Sequence, residues 1–341
     1  MNKFNKSVFV FALLAVFGAN GVFGFQDKPE IPADVVEKIA EAVKKDDDPK
    51  KEKPKFKKYE DVITKKAITK KGIFTTHEVD DKLYYELDPK QFGKEFLWLV
   101  QIAKVETNKG LGGLEASRLI VRFERLGDDI LLRSVDHDLR AKDGSTEELA
   151  VRSSSIDGII AALKIETFGP NEAPVVDMTS IFKGDVTEFS PKDNLNAAAL
   201  DRTRVFITSV KAFEKNIETR VLATYRLKPP RGAAPGMPSQ DPGTATAELN
   251  HSMVALPEKL MRPRYYDRRV GFFNGSYLDF SSERNIAERV SLIRRWRLEK
   301  KDPNAELSEP VKPIIFYVGR EVPKKYQQAP IEGIEMWQPA F

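Results

Sequence analysis

The segment SRLIVRFERLGDDILLRSV, residues 117–135, alternates apolar and polar side chains on both sides of Gly127-Asp128-Asp129. A period of two sends successive side chains to opposite faces of a strand, and a Gly-Asp turn between two such runs is a hairpin signal. This pattern constrains the fold most because it recurs along the chain. GIFTTHEVDDKLYYELD (72–88) predicts two short strands around a polar turn at Asp80-Asp81. EFLWLVQIAKV (95–105) is a continuous apolar run and predicts a well-buried strand. TRVFITSVKAFEKNIETRVLATYRL (203–227) predicts another hairpin, turning near Glu214-Lys215-Asn216. GIIAALKIETFG (158–169) and APVVDMTSIF (173–182) continue the strands, with a helix over 158–165 as the alternative for the first. A Gly/Pro/Ala/Ser-rich stretch at 229–247 reads as a mobile loop between two strands, after which ELNHSMVAL (248–256) resumes as a strand. The expected fold class is α+β and β-rich, with mainly antiparallel sheets from about 60 to 260.

The texture changes beyond 280. Ile286, Val290 and Ile293 recur at helical spacing, followed by an extended RRWRLEK (294–300). KPIIFYVG (312–319) predicts a strand, and the following segment a helix on which Ile331, Ile334, Trp337 and Phe341 share one face. Pro339 is placed to end or kink that helix. A strand then a helix reads as the opening of an α/β unit.

The N-terminus has the three-part layout of a secretory signal peptide: Lys3 and Lys6, an apolar run from Ser7 to Phe17, then small residues and a cleavage site at Val22-Phe23-Gly24. The run is shorter than a membrane span of roughly 20 residues needs. Export with cleavage after residue 24 is therefore expected, to the periplasm or the extracellular medium, with no stable membrane anchor afterwards. Residues 25–58 are rich in Lys, Asp, Glu and Pro and read as a disordered tether. The chain has no cysteine, so no disulfide and no thiolate chemistry is available to it. Its 55 Lys+Arg stand against 51 Asp+Glu, a near-balance that argues against a dedicated nucleic-acid binder.

Few residues suggest catalysis. The three histidines, His77, His137 and His251, are scattered. His77-Glu78-Val79-Asp80-Asp81 approaches H-E-x-x-H, but its fifth residue is Asp and the segment reads as a strand, so a solvent-facing strand histidine is expected. Asp136-His137-Asp138 follows a strand end and reads as a turn. KGLGGL (109–114) lacks the strand–loop–helix context of a phosphate site. Asp80/Asp81 and Glu147/Glu148 are neighbours in sequence, which does not make them converge in space, so a carboxylate hydrolase has no specific support. No catalytic, cofactor-binding or metal-binding residue is assigned. The segment at 250–273 is the exception to this blandness: Arg262, Arg264, Tyr265 and Arg268 crowd between prolines and, with Trp337, are candidate contacts to a partner or neighbouring domain. The alternative is a strand–turn–strand crossover whose arginines pair with local acids.

Five blocks carry a family resemblance: GLGGLEASRLIVRFER, SMVALPEKLMRPRYYDRRVGFF, RRWRLEK, SEPVKPIIFYVGREVPKKY and GIEMWQPAF. In this order they resemble large exported bacterial zinc-dependent metalloproteases, metzincin-like enzymes with two uncharacterised N-terminal domains ahead of the peptidase. The resemblance covers roughly 59–341. It implies that KPIIFYVG is the first strand of the peptidase domain and GIEMWQPAF its first long helix, with the zinc motif further downstream. It therefore implies zinc in the family's downstream domain and none held by this chain. The division that follows is 1–24 signal peptide, 25–58 linker, 59–92 small N-terminal region, 93–310 β-rich non-catalytic domain and 311–341 truncated start of a peptidase domain. The expected role is to scaffold, or to present protein substrate to, a peptidase domain. A free-standing exported module binding protein or peptide is the other reading.

Overall fold

The computed structural model describes residues 56–229, 243–281 and 286–340. The export signal, the tether up to residue 55 and most of the Gly/Pro-rich loop lie outside the described residues.

Hairpins build the body as the alternation predicts. β2 (Thr75–Val79) and β3 (Lys82–Glu86) pair across Asp80-Asp81, and Asp80 takes the positive φ that a two-residue turn requires. β5 (Leu114–Leu126) and β6 (Asp129–Val135) pair across Gly127-Asp128, with Gly127 at φ 62. β10 (Ala197–Ala212) and β11 (Asn216–Leu227) form the third hairpin. Adding β1 (Ile68–Lys70), β4 (Glu95–Val105), β8 (Gly158–Phe168), β9 (Pro174–Asp177) and β12 (Thr244–Ala255) gives an eleven-stranded antiparallel sheet. Its order is β1-β2-β3-β9-β8-β6-β5-β4-β12-β11-β10.

The sheet curls until its ends meet. Ile73 N–H donates to Phe213 C=O at 2.7 Å, and Lys70 Nζ donates to Val210 C=O at 2.8 Å. One continuous core fills the inside, with Phe74, Tyr85, Phe96, Trp98, Phe123 and Ile217 among its buried side chains. β4 is less uniform than its composition suggests: Phe96, Trp98, Val100 and Ile102 point inward, while Leu97 and Leu99 are only partly covered and Gln101 is exposed.

Between β9 and β10 the chain crosses the barrel instead of following its wall. The short helix Thr179–Lys183 and the 3-10 turn Thr187–Phe189 insert Ile181, Phe182 and Phe189 into the core. MTSIF is thus not a strand continuation. Asp177 ends β9 by accepting the Thr179 N–H on its carboxylate at 2.9 Å, which turns the chain into that helix.

Residues 158–165 continue the strands as expected, because β6 pairs with β8 over Gly158–Lys164 and leaves no helical alternative. Other expectations are corrected. The body begins at Phe56, not Tyr59: Lys57 N–H donates to Glu166 C=O, and the Phe56 ring meets Phe168 edge-on at 5.0 Å. The helical spacing of Ile286, Val290 and Ile293 is overridden by pairing. β14 (Glu288–Ile293) runs residue for residue against β13 (Asn274–Asp279), which lies parallel to β7 (Leu139–Arg140) in a second, three-stranded sheet. KPIIFYVG is not a strand. The last ladder bond is Val311 N–H to Glu299 C=O; beyond it no strand among the described residues receives the backbone, and Pro313 has no N–H to offer.

The C-terminal helix spans Lys324–Glu335 with Pro330 inside it, and Pro339 lies in the 3-10 turn Gln338–Ala340 that follows. No helix among the described residues is long and apolar enough to cross a membrane.

Candidate functional site

Two histidines lie inside the body, and both are committed to holding it together. His77 faces the outer side of β2 with Val79, a face covered by the helix Tyr59–Val62 and by Ile63. This cover leaves His77 only 2% exposed, which overturns the solvent-facing expectation. Its Nδ1 lies 2.9 Å from Thr69 Oγ1 and its Nε2 3.3 Å from Glu86 Oε2. Glu86 also accepts the Tyr59 hydroxyl at 3.0 Å. Burial, and then the Glu86 charge, push the Tyr59 phenol up to about 12, so it remains a donor. Hydroxyl, imidazole and carboxylate thus line up as in a nucleophile–base relay, but the buried ring admits no reacting molecule. The chain of contacts ties β1, β2, β3 and the N-terminal helix together.

His251 sits on β12 among aromatic rings. Trp98 Nε1–H donates to its Nδ1 at 3.3 Å, and Phe182 and Phe189 meet the ring edge-on at 5.3 and 6.1 Å. Burial pulls its pKa down to about 4, so the ring is neutral near pH 7. The adjoining void of about 10 Å³, lined in part by Asp185, Ser190 and Tyr225, holds one water at most. His137 is exposed on the turn after β6 and contacts Glu95 at 2.8 Å. With each histidine on a separate element, no group of three or more His, Cys, Asp or Glu among the described residues is placed to hold a metal ion.

The candidate contact residues occupy a different kind of surface. From Pro257 to Ala340, Ile293 is the only buried side chain among the described residues. This extension is nevertheless ordered by its backbone. Residues 264–266 lie along β14: Ile293 N–H donates to Arg264 C=O at 3.0 Å, Tyr266 N–H to Ser291 C=O at 2.9 Å, and Tyr265 bridges to Leu292. Two guanidiniums continue the seam, Arg295 Nη2 to Arg262 C=O at 2.8 Å and Arg297 Nη1 to Lys259 C=O at 2.6 Å. Arg262 and Arg264 therefore supply carbonyls to the fold. Neither they nor Arg268 form an ion pair among the described residues, whereas Arg269 clasps Asp267 at 2.6 Å. That clasp holds the Asp267 carboxyl below its usual range.

Exposed aromatic rings also occur on this extension. Tyr265 is 70% exposed and Trp337 61%. Trp296 and Phe316 meet edge-on at 6.4 Å, yet each keeps more than half its surface uncovered. The structure sets Arg264 and Tyr265 along the β14 edge of the small sheet and ties Arg262 to Arg295 beside them, while Arg268 lies in the turn that follows. It does not join Trp337 to them: no hydrogen bond or ring contact among the described residues links the two, and the C-terminal helix packs extensively against no other element. Trp296, Phe316 and the seam arginines escaped the sequence reading, because nothing local distinguishes an uncovered ring from a core one. The surface thus combines uncovered aromatic rings with arginines that form no ion pair among the described residues.

Fold and surface together define a β-rich module whose exposed chemistry lies on an extension beside a closed core. Residues 113–301, more than half of the chain, match the family described as "Domain of unknown function (DUF5117)", and the chain belongs to that family. Residues 56–105 match "Domain of unknown function (DUF5118)". No curated protein and no solved structure matches the chain. The two matched regions are not separate in space. β4, at the end of the first region, is hydrogen-bonded between β5 and β12 of the second, and β3 pairs with β9. The sequence division at residue 92 likewise falls within this single sheet.

Proposed function

We propose that this chain is the non-catalytic part of an exported, zinc-dependent metalloprotease and that its extension from 257 onward docks the peptidase domain. The observation that carries the reading is the coreless extension itself: apolar and cationic side chains held in order by backbone bonds, with one buried residue among them. A surface of that kind gains its stabilisation from a partner, since each covered aromatic ring contributes on the order of 1–3 kcal/mol. The presence of both matched domains agrees with an architecture of two N-terminal domains ahead of a peptidase. In this role the closed sheet is a rigid base, and Tyr265, the neighbouring arginines and Trp337 meet the enzyme. Zinc chemistry belongs to the partner domain, and no step of it is assigned to residues of this chain.

The test is co-elution and chemical cross-linking of the chain with an H-E-x-x-H peptidase domain of the resembling family. A stable complex is expected, with cross-links from the 257–340 region. Tyr265→Ala and Trp337→Ala are each expected to weaken it at least about tenfold. No complex at about 100 µM, or variants that bind as well as the parent, would sink the reading.

A further inference from the structure

The N-terminal part of β8, Gly158–Lys164, is paired on one side only. β6 covers it from Gly158 to Lys164, whereas β9 on the other side covers only Ile165–Phe168. β9 is short because Asp177 turns the chain away into the helix Thr179–Lys183. Among the described residues, nothing pairs with the β9 side of Gly158–Lys164. Ile165 N–H points to Asp128 C=O on the β6 side, at 3.1 Å. Strand alternation then sends the amides of Lys164 and Ala162 the other way, toward the open side.

A groove of about 680 Å³ lies against this open edge. Ala161–Lys164 of β8 form one wall, residues 177–186 another, and Arg202 reaches it from β10, the last strand of the sheet. Ala161, Ala162, Leu163, Ile181 and Val186 make part of the lining apolar. Most charges around the groove are already answered: Lys82 by Asp177 at 2.9 Å, Lys164 by Asp129 at 2.8 Å, Lys192 by Asp185 at 2.8 Å, and Lys183 by Asp81. Arg202 is exposed and has no partner among the described residues. An open strand edge, apolar walls and one unanswered guanidinium therefore converge on a space large enough for several residues of extended chain.

We propose that this groove binds an extended peptide by strand addition to Gly158–Lys164 of β8, with a carboxylate of the peptide on Arg202. Main-chain bonds to Ala162 and Lys164 supply affinity without regard to side chains. The guanidinium fork selects a carboxylate, whether at the peptide's C-terminus or on an acidic side chain. This site is separate from the 257–340 extension and does not depend on docking there.

The experiment is fluorescence anisotropy on the full chain with a fluorescein-labelled octapeptide of alternating threonine and valine ending in aspartate. Two controls accompany it: the same peptide N-methylated at every second amide, and one ending in amidated asparagine. A third peptide with an amidated C-terminus and an internal aspartate separates the two carboxylate sources. Saturable binding of the parent is expected, with about tenfold weaker binding after N-methylation. Arg202→Ala is expected to weaken the carboxylate peptides about tenfold and to leave the asparagine amide unchanged. Hydrogen exchange at Ala162 and Lys164 should slow when the parent peptide is added. The proposal is overturned if no peptide binds up to about 1 mM, or if N-methylation has no effect. It is equally overturned if the Ala162 and Lys164 amides are already protected in the free chain, because the edge would then be filled from within.

Discussion

Trp98 and His251 face each other across β4 and β12, and the indole N–H donates to the imidazole Nδ1 at 3.3 Å inside the aromatic core. The contact requires the neutral ring, and burial enforces it by lowering the folded-state pKa from 6.5 to about 4. In the unfolded chain the ring protonates near its ordinary value, so between these two pH values the unfolded state binds a proton that the folded state refuses. His251 thus costs nothing in stability above about pH 6.5 and destabilises progressively as pH falls toward about 4. The full effect is on the order of 3 kcal/mol, because each tenfold loss of proton affinity on folding corresponds to about 1.4 kcal/mol. Urea unfolding near pH 7 and near pH 4 checks it. His251→Gln, whose amide oxygen is able to accept the indole N–H, should lose less stability on acidification than the parent; equal losses would show that His251 does not titrate this way.

Gly72 marks the place where the curled sheet closes. A Cβ there would lie 2.6 Å from Phe213 O and 2.7 Å from Phe213 N, both backbone atoms. Since Ile73 N–H bonds that same carbonyl, the clash cannot be relieved without parting the two ends. Gly72→Ala should cost about 1–3 kcal/mol, the range of overpacking at a tight contact. Gly275→Ala is the control, because a Cβ at Gly275 meets nothing within 4 Å. Denaturant midpoints that shift equally for the two variants would mean the seam is loose.

Which parts of this architecture were readable in advance follows from how far apart their causes lie. The hairpins at Asp80-Asp81 and Gly127-Asp128 are local: alternation and turn chemistry sit within a few residues. The insertion of β4 between β5 and β12 is a long-range choice that no local pattern encodes. His77 looked exposed because the helix that buries it, Tyr59–Val62, lies well upstream. The spacing of Ile286, Val290 and Ile293 favours a helix, and only pairing with the distant strand Asn274–Asp279 holds Glu288–Ile293 extended. Arg262, Arg264, Tyr265 and Arg268 stood out by composition, but the use of the Arg262 and Arg264 carbonyls as acceptors depends on Arg295 and on Ile293, both well downstream. The groove beside β8 was invisible, since it exists only because β9 stops at Asp177.

The export reading makes a simple prediction. If the N-terminal signal is cleaved after Gly24, the chain recovered from a Gram-negative host's periplasm begins at Phe25. Intact mass spectrometry distinguishes this from an uncleaved chain beginning at Met1, which would argue for retention in the membrane.

The extension gives the last prediction, because a ring in a core and a ring awaiting a partner respond oppositely to removal. Phe316 is 57% exposed and Trp337 61%, and neither belongs to a core cluster. Phe316→Ser and Trp337→Ser should therefore shift unfolding free energy by no more than about 0.5 kcal/mol each, as surface substitutions do. A core aromatic such as Phe182, 4% exposed, should cost about 3–5 kcal/mol when changed to Ala. The uncovered rings should also bind an apolar dye such as anilinonaphthalene sulfonate in the folded state, and the two serine variants should reduce that fluorescence without altering the urea midpoint. A loss above about 2 kcal/mol at Phe316 or Trp337 would place these rings in a core and remove the basis for a docking surface.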